Sequence, residues 1–218
     1  MLSDSFVVLK TFLCWNKATV RRDSKVQSTK YKEQGKVWKP TRAQILAAAG
    51  KKVSDVIAPH LRVLFCGINP GLYTAAVGHH FARPGNRFWR ALYDAGFTNR
   101  LLSPFEEDEL LESGYGITNV ASRATATADL LSRDEIMKGG RQLAAKVARY
   151  RPSILAVLGL GAYRTAFNQP RATVGRQQET IGPTVLWVLP NPSGLNANYQ
   201  PKDLARLFRE LKAAAEIS

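Results

Sequence analysis

Acidic residues are scarce in this chain: 17 Asp and Glu stand against 31 Lys and Arg, a net charge of +14. Such an excess says nothing about fold, but it favours polyanionic partners such as nucleic acid. Cysteine is rarer still. Cys14 and Cys66 are too few for a disulfide framework or a zinc site, so a reducing intracellular setting is expected, with Cys66 as a small core residue. With three histidines and no third ligand beside His79-His80, no metal and no cofactor are expected. No apolar run approaches the ~20 residues that span a bilayer. Phe6-Val7-Val8-Leu9 is broken by Lys10 without a small-residue cleavage pattern, so neither a membrane partner nor secretion is expected. The basic, Ser- and Thr-containing residues 17–40 leave an organellar transit peptide open. Internal repeats, a GxGxxG fingerprint and a Gly-Lys-Ser/Thr phosphate loop are all absent.

What is present is organised unevenly. Residues 1–57 hold 12 Lys and Arg against 4 acids, and residues 58–218 hold 19 against 13. The first 40 residues lack sustained periodicity, and residues 1–50 read as a basic, flexible extension, either a solvated tail or a non-specific phosphate contact. Ala43–Ala49 is a candidate short helix. A single domain follows over 51–218, its core beginning near Val56. Strands are predicted over Leu61–Gly67, Tyr115–Val120, Ile154–Leu158 and Val185–Leu189. Helices are predicted over Asn86–Gly96 (Phe88, Leu92 and Tyr93 on one face, Asn86 as N-cap), Glu106–Ser113, Ala162–Phe167 and Pro201–Ala214. Arg133–Tyr150 reads as an amphipathic helix interrupted by Gly139-Gly140, and Leu72–Phe81 as a small-residue loop. This alternation predicts an α/β fold, a three-layer α/β/α sandwich around a short, mainly parallel sheet.

Gly67-Ile68-Asn69-Pro70-Gly71 ends the first strand in a turn that presents one amide, Asn69. Pro70 biases Asn69 away from helical backbone, while Gly67 and Gly71 permit close approaches that a Cβ would block. The turn beyond a strand's carboxyl end is where open α/β sheets bind ligands. A second stiff turn, Leu189-Pro190-Asn191-Pro192-Ser193-Gly194-Leu195-Asn196, follows another apolar strand. It is either a structural loop with Leu195 tucked inwards or a rigid finger exposing an apolar residue to a base stack. Arg123–Asp129 forms a small-residue loop in which Asp129 either caps a turn or supplies a carboxylate near the pocket. His79-His80 are read as a partly exposed pair, of which one can face a pocket, or as phosphate contacts.

Together with Gly116-Ile117-Thr118-Asn119 and Gly139-Gly140-Arg141, the two turns make the chain resemble the mismatch-specific uracil/thymine-DNA glycosylase family of the uracil-DNA glycosylase superfamily. The resemblance runs from about Val56 to Leu211, and the two turns lie about 120 residues apart in the family's order. It implies a monofunctional DNA-repair hydrolase, acting as a monomer, that flips uracil, and in some members thymine or another damaged pyrimidine, out of double-stranded DNA. The usual lesion is a U·G or T·G mismatch, and the product is an abasic site. Asn69 then matches the residue that positions the attacking water. Ile68, Gly71, Thr74, Phe81, Asn119 and Asn191 fall among the base-binding positions, with the Phe81 ring stacking on the base. Gly194, Leu195 and Ala197 fall on the wedge that fills the vacated gap, and Arg123 and Ser193 are the expected phosphate contacts. Asp129 is a second catalytic candidate that could assist Asn69.

The chain departs from the family pattern at three places. Asn119 stands where one bacterial member has Lys, Ala197 replaces a wedge Arg, and Tyr73 and Thr74 are bulkier than usual, Thr74 narrowing the pocket against the thymine methyl. A cytoplasmic or nucleoid location in a bacterium, or a nuclear one in a eukaryote, follows. Two other classes compete: a Rossmann-like small-molecule enzyme, which lacks its glycine fingerprint here, and a non-catalytic DNA-binding module, which lacks a helix-turn-helix, zinc or RRM signature.

Overall fold

Strand β1 (Val63–Gly67) is buried along its whole length and alternates between two cores. Val63 and Phe65 point to one face of the sheet, Leu64 and Cys66 to the other, as a period of two requires. A computed structural model describes residues 38–217 of the chain. The expected basic extension lies, for residues 1–37, outside the described residues, as does Cys14. The compact unit that carries the sheet begins at Pro40.

Five strands form one sheet in the order β2-β1-β3-β5-β4, where β2 is Tyr115–Asn119, β3 Ile154–Leu158, β4 Gly175–Ile181 and β5 Thr184–Leu189. All neighbours are parallel except β4, which pairs antiparallel with β5 at one edge. The four parallel strands match the sequence reading closely. The segment β4, Gly-Arg-Gln-Gln-Glu-Thr-Ile, was not legible: on an edge, with most of its residues exposed or half-buried, it carries no apolar alternation.

Helices cover both faces, as expected. Among the described residues, the α-helices in chain order are α1 (Arg42–Leu46), α2 (Leu72–Val77), α3 (Phe88–Asp94), α4 (Glu109–Glu112), α5 (Arg133–Tyr150), α6 (Leu160–Ala166) and α7 (Pro201–Ile217). Phe88 and Leu92 of α3, Leu110 of α4 and Leu204, Phe208 and Leu211 of α7 pack with Phe65 and Ile117 on one face. Leu143 and Val147 of α5 and Tyr163 of α6 pack with Leu64 and Cys66 on the other. Burial is the main influence on the Cys66 thiol, pushing its pKa far up, so it stays a protonated core group.

Four local expectations are corrected. Leu72–Phe81 is not all loop: α2 occupies its first half and ends at Gly78, whose φ of 87° is left-handed and whose N–H donates to the Thr74 carbonyl. This short helix holds because Ala75 packs with Ala48, Val53 and Ala124; packing, not propensity, stabilises it. Tyr93 does not share the buried face of α3 and is 41% exposed. The N-cap position of α3 is Arg87, although Asn86 still accepts a hydrogen bond from the Phe88 N–H at 2.9 Å.

Gly139-Gly140 does not interrupt α5, which runs unbroken from a Ser132–Glu135 capping box. A Cβ at Gly139 would stand 2.3 Å from the Val120 carbonyl oxygen, and one at Gly140 would stand 2.2 Å from that of Ala166. Each glycine costs about 1 kcal/mol of helix propensity. In return the pair lets α5 approach the end of β2 and the end of α6 more closely than any side chain would allow.

Candidate active site

The carboxyl ends of β1, β2, β3 and β5 lie side by side, and the order 2-1-3 places a topological switch at β1. The two turns singled out in the sequence both sit on this edge. Ile68, after β1, lines a cavity of about 490 Å³ together with Gly159 after β3 and with Pro190, Asn191 and Tyr199 after β5.

Asn69 is half-buried, and its amide has a fixed orientation. Nδ2 donates to the Thr125 Oγ1 at 2.7 Å, to the Arg123 carbonyl at 2.9 Å and to the Pro70 carbonyl at 3.2 Å. Thr125 Oγ1 has committed its own proton to the Thr127 carbonyl at 2.7 Å, so toward Asn69 it can only accept. The amide nitrogen is therefore tied into the 123–127 loop. Backbone bonds lace the same segments together: Val120 N–H to Gly67 O, Ala121 N–H to Ile68 O and Thr125 N–H to Pro70 O. No described residue donates a hydrogen bond to Asn69 Oδ1.

Gly67 and Gly71 differ in what they do. A Cβ at Gly67 would stand 2.5 Å from Asn119 Oδ1 and 3.4 Å from the Phe81 ring, so this glycine lets both side chains close on β1. Gly71 has an ordinary φ of −73° and nothing near its missing Cβ; neither backbone nor neighbours demand glycine there, contrary to the sequence reading. Phe81 is half-buried and stacks on Phe88 at 4.0 Å. Its φ of 53° is left-handed for an aromatic residue, a strained conformation that its surroundings must over-determine. They do so through the buried Glu107, whose carboxylate accepts from His80 N–H at 2.7 Å and bonds His79 Nδ1 at 2.9 Å. Of the pair read as partly exposed, His79 is so, its side chain 20% exposed, but His80 is not. His80 is 1% exposed, and its ring lies between the Ser54 carbonyl and Asn119.

The second turn is stiffened by its own side chains. Asn191 Oδ1 accepts from Ser193 N–H at 3.0 Å, and Asn196 Nδ2 donates to the Asn191 carbonyl at 3.0 Å. Arg87, unnoticed in the sequence, clamps the turn from outside. Its guanidinium donates to the carbonyls of Ser193 (2.5 Å), Asn196 (2.9 Å) and Tyr199 (2.6 Å), and its N–H donates to the Pro192 carbonyl. Leu195 is 72% exposed at the tip, so it is not tucked inwards; Gly194 and Ala197 are exposed beside it.

Thr74 is buried on α2. The Arg123 guanidinium pairs with Glu135 at 2.8 and 3.1 Å and donates to the Leu130 carbonyl; the Glu135 carboxyl is held down to about 2, chiefly by that pairing. Arg123 reaches Asn69 through its backbone carbonyl instead. Asp129 lies exposed in a 3-10 turn, Ala128–Leu130, and neither a hydrogen bond nor an ion pair joins it to Asn69. Thr125, in the same loop, is the residue that does contact it. Accordingly, Asp129→Asn is expected to change the single-turnover rate of the reaction at this site by no more than about threefold, since a solvated surface charge contributes little. A loss beyond tenfold would return the carboxylate to the chemistry.

Among the described residues, no three His, Cys, Asp or Glu side chains are placed to hold a metal ion, and no helix is long and apolar enough to cross a membrane.

Comparison with known proteins bears on the family and the fold. Residues 54–212 match the family model described as the uracil DNA glycosylase superfamily. The fold is similar to the solution NMR structure of a candidate uracil DNA glycosylase from Methanosarcina acetivorans, at 18% identity and a TM-score of 0.54, covering 75% of this chain and 98% of that one. Both turns, the cavity between them and the oriented Asn69 fall within the matched residues, and the chain belongs to the uracil DNA glycosylase superfamily.

Proposed function

We propose that this protein is a monofunctional, monomeric DNA glycosylase that flips uracil out of duplex DNA, chiefly from U·G mismatches, and releases it by water attack. The observation that carries this reading is the Asn69 amide, bound through Nδ2 to Thr125 Oγ1 and the Arg123 carbonyl with Oδ1 left open. An amide oxygen is too weak a base to strip a proton outright, but it can hold a water in line with the sugar carbon. Water then adds to C1′ as the N-glycosidic bond breaks. The bonding pair leaves with the base as an anion, which takes up a proton, and the water's proton is lost to solvent. Most of the acceleration must come from stabilising the departing anion and the developing sugar cation, and backbone N–H groups of the turn suit the former.

Supporting features sit around this centre. Phe81 offers a ring surface for the base, Asn119 a paired donor and acceptor for its edge, and Asn191 a polar group at the cavity. The exposed Leu195 between Gly194 and Ala197 is the wedge that takes the vacated place in the stack. Ser193 and the +14 net charge favour phosphate contact in double-stranded DNA. Extruding a nucleotide costs a few kcal/mol, least at a mismatch, which favours U·G and T·G pairs over matched ones. Thymine is the poorer substrate because Thr74 narrows the site against its methyl group. An intracellular site of action, beside DNA, accompanies this reading.

Abasic-site formation on U·G, U·A, T·G and single-stranded uracil oligonucleotides, followed by alkaline strand cleavage, tests the reading directly. Uracil release is expected fastest from U·G, with T·G slower by at least about tenfold, the scale on which a pocket discriminates one methyl group. Comparable rates on U·G and T·G would remove the role given to Thr74. Tight binding of mismatched DNA without base release would make the protein a binding module instead.

A further inference from the structure

We infer that residues 48–53, which precede the family-matched residues, aim the Asn69 amide by fixing the loop it bonds; the kinetic test of this rests on the glycosylase reading above. Two backbone bonds make the connection. Gly50 N–H donates to the Ala124 carbonyl and Ala124 N–H donates to the Lys51 carbonyl, both at 2.9 Å. Ala124 stands between Arg123 and Thr125, whose oxygens accept from Asn69 Nδ2 at 2.9 and 2.7 Å.

A trans peptide unit is a rigid plane whose N–H and C=O point opposite ways. The plane joining Arg123 to Ala124 therefore gives its N–H to Lys51 and turns its carbonyl to Asn69. The next plane, joining Ala124 to Thr125, accepts the Gly50 N–H on one edge. On its other edge the Thr125 N–H donates to the Pro70 carbonyl at 3.2 Å. The loop thus lies between two segments, 50–51 along one side and the Asn69-Pro70 turn along the other. Tilting either plane away from 50–51 swings the Arg123 carbonyl or the Thr125 hydroxyl off the Asn69 amide.

Packing keeps 48–53 in place. Ala48 and Val53 join Ala124 and Ala75 of α2 in a small core of their own, with Ala48 0% and Ala124 1% exposed. Upstream, a Thr41–Gln44 capping box starts α1. Downstream, Asp55 accepts from Thr118 Oγ1 at 2.8 Å and pairs with Lys146 at 2.5 Å. The family match begins at residue 54, whereas the compact unit begins at Pro40. Residues 48–53 do not line the cavity beside Ile68, so they form a positioning element that acts through Arg123 and Thr125.

Gly50 allows a test in the full chain. Its φ of 76° is left-handed, and nothing lies within 4 Å of its missing Cβ. Asparagine tolerates that backbone, whereas β-branched valine does not. Gly50→Val is expected to lower the single-turnover rate of uracil release from U·G duplexes about tenfold, as a misdirected group does, with DNA binding unchanged. Gly50→Asn should stay within about threefold of wild type, since it keeps the left-handed turn. In an Asn69→Ala background, Gly50→Val should cost less than about twofold more, because the two changes share one route. The Asn69 side-chain NH2 resonances, assigned by comparison with Asn69→Ala, should shift in Gly50→Val and stay in place in Gly50→Asn. A folded Gly50→Val with unshifted Asn69 resonances would overturn the inference, as would equal rate losses in both backgrounds or an equal loss in Gly50→Asn. If Gly50→Val does not fold, the wild-type chain decides. Scalar couplings across the two hydrogen bonds, from the Ala124 nitrogen to the Lys51 carbonyl carbon and from the Gly50 nitrogen to that of Ala124, are expected there, and their absence would overturn the inference. Wild-type protein that releases no uracil from any duplex is a different failure, that of the glycosylase reading, and the Asn69 resonances then decide.

Discussion

Replacing Asn69 with alanine is expected to lower the single-turnover rate of uracil release by about 10²–10³-fold, the range for deleting one preorganised polar group at a reacting centre. Binding of abasic product DNA should change far less, because the role proposed for Asn69 is on the water and not on the duplex. The fold should survive, since the Val120, Ala121 and Thr125 backbone bonds that hold the turn do not involve the side chain. Thr125→Val separates alignment from presence. It removes the Oγ1 that accepts from Asn69 Nδ2 at 2.7 Å while leaving the amide in place, so the Oδ1 lone pair loses its fixed direction. A loss of about tenfold is expected, since misplacing a positioned group costs less than deleting it. Full base release by Asn69→Ala would remove Asn69 from the chemistry altogether.

A second large effect is expected at Arg87. Its guanidinium gathers the carbonyls of Ser193, Asn196 and Tyr199, and hydrogen bonds to a charged group contribute about 1.5–3 kcal/mol each. They are not additive, so Arg87→Met should cost about 2–4 kcal/mol of stability, read as a lowered Tm. Catalysis should respond differently from the Asn69 variants. A loosened 191–199 turn no longer presents Leu195 rigidly, so kcat/KM should fall about 10–100-fold, with an equal loss of base extrusion reported by a fluorescent base analogue opposite the lesion. Leu195→Ala should reproduce the extrusion defect without the loss of Tm, because Leu195 is 72% exposed. Normal extrusion by both variants would separate this turn from flipping.

Contacts of this kind explain why the site was legible only in part. Asn69 and Leu195 announce themselves through their neighbours, since proline and glycine beside an amide or an apolar tip restrict the chain locally. Thr125, Arg87 and His80 carry no such mark. Thr125 lies 56 residues from the amide it orients, and Arg87 lies more than 100 from the turn it clamps. Asp129 has the more chemically suggestive side chain, but in the same loop it is Thr125 that bonds Asn69. The doublet Gly139-Gly140 misled for a related reason: judged by propensity it breaks a helix, but it marks where two backbone carbonyls press against one.

By itself, then, the sequence determined most of the elements that bury a continuous apolar face: the four parallel strands, helix α5 apart from the interruption expected at Gly139-Gly140, and the closing helix α7. It also determined the two rigid turns, because their backbone constraints are local. Tertiary structure alone decided that β4 completes the sheet edge, that Thr125 fixes the direction of Asn69, and that Ser54, His80 and Asn119 form one chain of hydrogen bonds. The physical reason is the same in each case. A polar group's role is set by the donor or acceptor brought against it, and that partner comes from whatever part of the chain the packing of the core delivers.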